Sequence, residues 1–332
     1  MQQCLQAPST PSRTGSTATR LSGSIRRPGV FLYSPGGLMI DLIQAVGSGM
    51  LVGLVYSLLG LCIVLIYKAS EAFNFAIGEF MVVGSFLFYI LFFDLHLPFI
   101  IALPLGLAAA AGAGAIIQRL AIKPLIGRSP ISMTIVTLGL AFFIRACLQL
   151  IFGSHSYSFF LELPDISIDT GELLFLSDPI WAGILALSAF GVVMFFLFRT
   201  RWGLAVRATS ENQAKAMAFG INARMILLIV WAASSACIAI AGIMISNFGA
   251  LSTMSSIVGL RAIPVVLIGG MDSIGGALIG GIIVGVCESM VGTYLEPLGL
   301  IGFKEVAPYI LLLIVLLIRP YGLFGTVRIE RV

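Results

Sequence analysis

Between two long apolar runs stands the segment Arg199-Thr-Arg-Trp-Gly-Leu-Ala-Val-Arg207-Ala-Thr-Ser-Glu-Asn-Gln-Ala-Lys-Ala-Met-Ala-Phe-Gly220-Ile-Asn-Ala-Arg224. Its polar residues predict a short capped helix on the basic face of a membrane protein. Ser210 is placed to cap that helix, with Gln213 three residues on as the reciprocal partner of a capping box. Glu211 falls in the first turn, where a negative charge suits the helix dipole. Gly220 is placed to end it in the left-handed conformation. Ala214, Met217, Ala218 and Ile221 follow the spacing of one apolar face. At ~1.5 Å per residue the helix is far too short to cross a bilayer. A short helix with an apolar face and basic flanks reads as a docking element for a cytoplasmic partner. The other reading is a helix lying on lipid, but its Ala-rich face lacks the large anchors such helices use.

The rest of the chain supplies the membrane. Of 332 residues, 59% are hydrophobic and 10% charged, against about a quarter charged in a soluble domain. Apolar runs recur along most of the length, so the fold class is an all-α polytopic membrane protein, a helical bundle of about 8–10 transmembrane segments. The short alternating segments of a β-barrel are missing from the sequence. Spans are expected near 40–66, 79–94, 98–118, 131–151, 179–198, 225–247, 255–271, 274–295 and 306–318. Segment 152–178 carries Glu162, Asp165, Asp169, Glu172 and Asp178 and no Lys or Arg. Segments 119–130 and 199–224 and the end of the chain are basic, so the positive-inside rule makes them cytoplasmic and 152–178 external. Parity then requires 248–273 to cross once and places the start of the first span outside.

Residues 1–38 form a basic tail rich in Ser, Thr, Pro and Gly, which predicts disorder. Met39 at the edge of the first span is a candidate translation start. The organisation expected is therefore a tail at 1–38, a transmembrane domain at 39–325 that includes the 199–224 segment, and a cytoplasmic tail at 326–332. The net charge of +4 makes no case for nucleic acid. Five scattered cysteines and two histidines show neither disulfide nor metal spacing, so no metal centre is expected.

Polar groups inside apolar runs are the candidates for chemistry. Glu71, Asn74 and Glu79 lie in Tyr67-Lys-Ala-Ser-Glu71-Ala-Phe-Asn74-Phe-Ala-Ile-Gly78-Glu79-Phe, which joins two spans without a conventional hydrophilic loop. They are costly in hydrocarbon and must face water, a partner or the bundle interior. A solvated interfacial turn is the alternative, and it suits Glu71 best. Arg145, Gln149, Arg261 and Glu288 also interrupt apolar runs, as pathway residues or as structural pairs. Gly276, Gly280, Gly281 and Gly285 recur at spacings that let helices approach closely. The sequence lacks a phosphate-binding Gly-x-x-x-x-Gly-Lys-Ser/Thr loop, a Gly-x-Ser-x-Gly elbow and a His-Glu-x-x-His run. No catalytic residue is assigned. An ATP-independent carrier using Glu79 and Glu288, and an intramembrane enzyme, are the competing classes. The second lacks a convergent nucleophile and base.

Four separated motifs then carry a resemblance. Asn74-Phe-Ala-Ile-Gly-Glu79-Phe with Val83-Gly84-Ser85, the 207–221 stretch, Gly259 through Gly281, and Arg319-Pro-Tyr-Gly-Leu-Phe-Gly325 resemble, in order, the motifs of the LivH-type permease. That protein is one of two membrane subunits of the branched-chain amino acid ABC importer family. Ile77 stands where the family usually has His, and Met271-Asp272 where it has Ile-Gly. Urea and short-amide importers share this permease type, so the substrate stays open between these and branched-chain amino acids. The resemblance implies a second related permease, two cytoplasmic ATPase subunits that use the ATP, a periplasmic substrate-binding protein, and a multi-pass place in the bacterial inner membrane. It implies that Arg207, Glu211, Ala216 and Gly220 meet the ATPase. Asn74, Glu79 and Glu71 are then candidates for the translocation pathway.

Overall fold

The computed structural model describes residues 35–325 apart from 162, 170–172 and 212, and leaves undescribed the side chains of 35–38, 213 and 214. Most of the basic tail, the 326–332 tail, Glu162 and Glu172 therefore lie outside the described residues. Among the described residues, seven helices are long and apolar enough to cross a membrane. They are α1 (Pro35–Ser70), α2 (Ile77–Tyr89, continued by a π-helical turn to Asp94), α3 (Phe99–Ile117, continued by a π-helical and a 3-10 turn to Leu125), α4 (Pro130–Phe152), α5 (Ser177–Arg199), α8 (Ala223–Asn247) and α11 (Ile274–Tyr294). Between α5 and α8 lie α6 (Arg201–Glu211) and α7 (Gln213–Ala218). Two stretches expected as spans are shorter. One is broken into a 3-10 turn, α9 (Ser256–Gly259) and α10 (Ala262–Gly269), and the other is α12 (Phe303–Ile318).

Local sequence sets the helix boundaries. Ser129 caps α4, Asn222 caps α8 and Ser273 caps α11, each accepting a backbone N–H from three residues on. Gly270, at φ +103, ends α10, and Gly302, at φ +80, precedes α12. α10 is too short to span alone, but Ala262, Pro264, Val265, Val266, Ile268 and Gly269 are all buried. A broken helix is tolerated at membrane depth when protein, not lipid, encloses its loose backbone groups.

α1 is the centre of the bundle. Val55, Leu58, Leu59, Leu61 and Cys62 are fully buried, and α1 packs on α5, α8, α10 and α11. α3 and α4 lie at the periphery, with few of their residues buried. The glycine stripe of α11 explains how its backbone reaches its neighbours. A Cβ at Gly281 would stand 2.1 Å from Ser57 Oγ and one at Gly285 2.4 Å from Gly49 O, while Gly276 and Gly280 meet the backbone of α10 in the same way. Packing of this kind, with no solvent-driven gain between helices in lipid, is what holds a membrane bundle together.

The two ends of the bundle separate by charge. Gln44 Nε2 donates to Leu174 O (3.1 Å), and β1 (Tyr157–Ser158) pairs antiparallel with β4 (Ala250–Leu251). These contacts join the start of α1, the acidic 152–178 segment and the end of α8. A second small pair, β2 (Ile168–Asp169) with β3 (Leu174–Phe175), lies within the acidic segment. At the other end Lys68 Nζ donates to Asp272 O (2.9 Å). The 248–273 stretch therefore runs from one end to the other, as charge parity requires. The end of the chain folds back there too, with Leu323 and Phe324 amides donating to Ile268 and Gly269 carbonyls.

Candidate functional site

The chain re-enters the bundle directly after α1. Ser70 Oγ donates to Ile66 O and accepts from Ala72 N, and Glu71, exposed, takes a left-handed φ of +56. Residues 72–76 then run without helix into the protein. Asn74 is 1% exposed and its Oδ1 accepts from Ala76 N (3.1 Å), an Asx turn that leads into α2. Thr137 of α4 takes up the backbone beside it: its Oγ1 accepts from Phe75 N (3.3 Å) and lies within donating distance of Phe73 O (3.0 Å). Gly78 brings the 256–259 backbone to contact, since a Cβ there would stand 2.1 Å from Ser256 O.

Glu79 is 2% exposed in the first turn of α2, and its Oε1 accepts from Arg145 Nη2 across 2.6 Å. The same nitrogen donates to Ser256 Oγ (2.9 Å). The Asn-Phe-Ala-Ile-Gly-Glu run thus has a physical reading at each polar position: Asn turns the chain, Gly admits a neighbouring backbone, and Glu holds α4. Among the described residues, Asn74 Nδ2 is buried without a hydrogen-bond partner. Of the three candidates here only Glu71 is exposed; Asn74 and Glu79 are enclosed by the chain itself.

A second ion pair crosses the bundle toward its acidic end. Arg261, just before α10, donates to Glu288 of α11 and to the Tyr56 hydroxyl of α1 (3.0 Å). Glu305 of α12 stands 3.7 Å from the same guanidinium. All four ionisable residues expected inside apolar spans are therefore paired, Arg145 with Glu79 and Arg261 with Glu288. Sequence reading missed the pairings together with Tyr56, Thr137 and Ser256. The signal was there in an equal count of buried arginines and glutamates, because ionised groups in a bundle pair with one another.

The 199–224 segment is longer in helix than expected. The cap is Thr200, whose Oγ1 accepts from Gly203 N (3.0 Å), and α6 begins at Arg201. Ser210 lies inside α6 and donates back to Arg207 O, so it caps nothing. Helix therefore starts about ten positions earlier than expected, at the upstream cap. Gly203, Val206 and Thr209 form the buried face of α6. Arg207 stacks over the Phe198 ring at 5.0 Å. Glu211 is exposed. Ala216 corrects the expectation of an external contact: it is 3% exposed and faces the chain's own interior. Of the apolar face expected to dock a partner, Met217 is 53% exposed, and Phe219 beside it is 88% exposed. The side chains of Gln213 and Ala214 lie outside the described residues. Gly220 has a φ of +83 and ends the segment, with Ile221 N donating to Ala216 O, as a left-handed glycine cap does.

The sequence family described as "Branched-chain amino acid transport system / permease component" matches residues 45–318. The chain is 26% identical over 313 residues to the high-affinity branched-chain amino acid transport system permease protein LivH of Escherichia coli K12, covering 87% of this chain and 97% of that protein. It is 27% identical over 306 residues to the permease protein BraD of Pseudomonas aeruginosa, covering 87% and 98%. A probable branched-chain amino acid transport permease of Methanocaldococcus jannaschii is 29% identical over 315 residues, covering 86% and 95%. No solved structure matches.

Proposed function

Because the chain belongs to the family of branched-chain amino acid transport permeases, the membrane components of ATP-binding-cassette importers, we propose that it forms half of the translocation unit of an importer for branched-chain amino acids. A second related permease completes the unit, two cytoplasmic ATPase subunits drive it, and a periplasmic binding protein delivers the substrate. Its site is the bacterial inner membrane. ATP is consumed by the partners.

The observation that carries the mechanical part is the exposed apolar edge at the end of α7. Met217 and Phe219 face outward at the basic end, flanked by Glu211. Large exposed apolar side chains beside charges are the composition of a protein contact. Motion of an ATPase seated there passes through α6 into α1, α5 and α8, on which α6 packs. This is rigid-body rocking about a packed bundle. Asn74, Glu79 and Glu71 act around the re-entrant segment, with Glu79 setting the position of α4 through Arg145.

The test is affinity purification of the chain from its native membrane with identification of what accompanies it, then reconstitution. Recovery of a second permease and ATPase subunits, with ATP-dependent uptake of leucine, is the expected result. Uptake of urea or acetamide instead moves the substrate to the amide class. A chain recovered alone and active without ATP overturns the importer reading.

A further inference from the structure

We infer that α1, α11 and the start of α12 together form a binding site for a zwitterionic α-amino acid at the acidic end of the bundle, with Glu288 as the ammonium acceptor. This rests on the transport function proposed above and names the chemistry its substrate must have.

Two cavities meet there. One of about 270 Å³ opens beside Asp41 and Gln44, and one of about 460 Å³ lies deeper against Arg261, Glu288 and Lys304. Ser48, Ser289 and Thr293 line both, so the two form one groove running inward from the acidic end. The deeper cavity is within the ~300–1,000 Å³ of small-molecule sites.

The wall carries an unsatisfied group. Glu288 is 9% exposed, and Arg261 occupies its Oε1. Its Oε2 is buried and has no hydrogen-bond partner among the described residues. A buried carboxylate oxygen left without a donor is costly, and an ammonium entering the groove supplies one. Donors for a carboxylate stand close by. Lys304 Nζ lies 3.7 Å from Glu296, and the second terminal nitrogen of Arg261 lies 3.7 Å from Glu305. Both separations exceed hydrogen-bond length, so a substrate carboxylate can draw either cation toward itself. Val52 and Gly285 give the same cavity an apolar wall for an aliphatic side chain. A neutral amide satisfies neither charge, whereas an α-amino acid satisfies both.

The test uses the assembled transporter with its ATPase subunits and binding protein. Thr293→Cys is made in a background lacking the native cysteines and labelled with a membrane-impermeant thiol reagent from the acidic side. Leucine is expected to slow labelling, while isocaproate and isoamylamine, each lacking one charge, leave it unchanged. Glu288→Gln should abolish the protection and lower ATP-dependent leucine uptake by ~10-fold or more, the loss expected for one charged hydrogen bond. If Glu288→Gln fails to accumulate, Ser289→Trp, which fills the zone shared by both cavities, is read in the same two ways. Labelling indifferent to leucine, with full uptake by the variant, overturns the site. Protection without any ATP-dependent import by the unmodified complex keeps the site and overturns the transport function instead.

Discussion

Arg145 of α4 reaches Glu79 of α2 across 2.6 Å, and this ion pair ties an otherwise peripheral helix to the bundle. Glu79 is enclosed, while the side chain of Arg145 keeps 29% of its surface exposed. Removing one partner strands the other charge, which typically costs ~3–5 kcal/mol, whereas replacing both by apolar residues of similar volume is often close to neutral. Glu79→Ala alone is therefore expected to lower the thermal stability of the purified complex and its transport. The volume-matched double variant Glu79→Leu/Arg145→Met should recover most of the stability. Thermal unfolding of the two variants side by side checks this. A double variant no more stable than Glu79→Ala would mean that Glu79 acts through something other than Arg145.

Two α4 hydroxyls take up the backbone of the re-entrant segment, Thr134 from Phe73 N (3.3 Å) and Thr137 from Phe75 N (3.3 Å). Thr137 Oγ1 accepts from Phe75 N, and its nearest acceptors are Phe73 O and Thr134 O. Thr137→Val keeps the shape and leaves Phe75 N without that acceptor, at a cost of ~1–3 kcal/mol. Thr137→Ser should keep the bonds and most of the stability. Hydrogen exchange at the Phe75 amide separates the two, with faster exchange expected only in the Val variant.

At the coupling segment the two candidate contacts predict different failures. Phe219 is 88% exposed, so Phe219→Ser should leave the chain's own fold intact and weaken recovery of the ATPase subunits. A Cβ at Gly220 meets nothing within 4 Å among the described residues, so substitution there acts through backbone strain. Its φ of +83 disfavours β-branched residues, at a cost of ~1–2 kcal/mol, and Asn tolerates it better. Gly220→Val is therefore expected to uncouple ATP hydrolysis from uptake and Gly220→Asn to do so much less. Equal uptake in both would detach the turn from coupling. Glu211→Lys, on the exposed end of α6, should likewise reduce uptake with the protein still inserted.

Hydropathy alone located the long spans, because an apolar run of membrane length has one stable answer in lipid. Hydropathy does not distinguish lipid from enclosing protein, and for that reason 255–271 reads as one continuous helix when it crosses as a broken one held inside the bundle. The helix start at Thr200 was hidden by Ser210, an equally good cap ten positions on. The direction of Ala216 was hidden because alanine fits both a buried and an exposed face. Partners of the intramembrane charges were the least legible. Arg145 and Glu79 are 66 positions apart and Arg261 and Glu288 27, and only the packed bundle says which meets which. The Asn74–Glu79 run carried family information because each polar residue there has a separate structural duty.

The glycine stripe of α11 gives the sharpest control. Gly281 and Gly285 lie where a Cβ would collide with Ser57 or with the α1 backbone at 2.1–2.4 Å, and neither neighbour can yield without moving α1. Overpacking of this kind costs ~1–3 kcal/mol or more, and here it pushes the central helix away from α11. Gly275 sits in the same helix with nothing within 4 Å of its added Cβ. Gly281→Ala and Gly285→Ala are expected to reduce the yield of monodisperse protein and its unfolding temperature. Gly275→Ala should be neutral or slightly stabilising, since alanine restricts the unfolded backbone. Size-exclusion profiles and thermal unfolding of the three variants in one detergent provide the measurement. A Gly281→Ala protein as stable as the Gly275→Ala control would mean that α1 and α11 are not in contact as described.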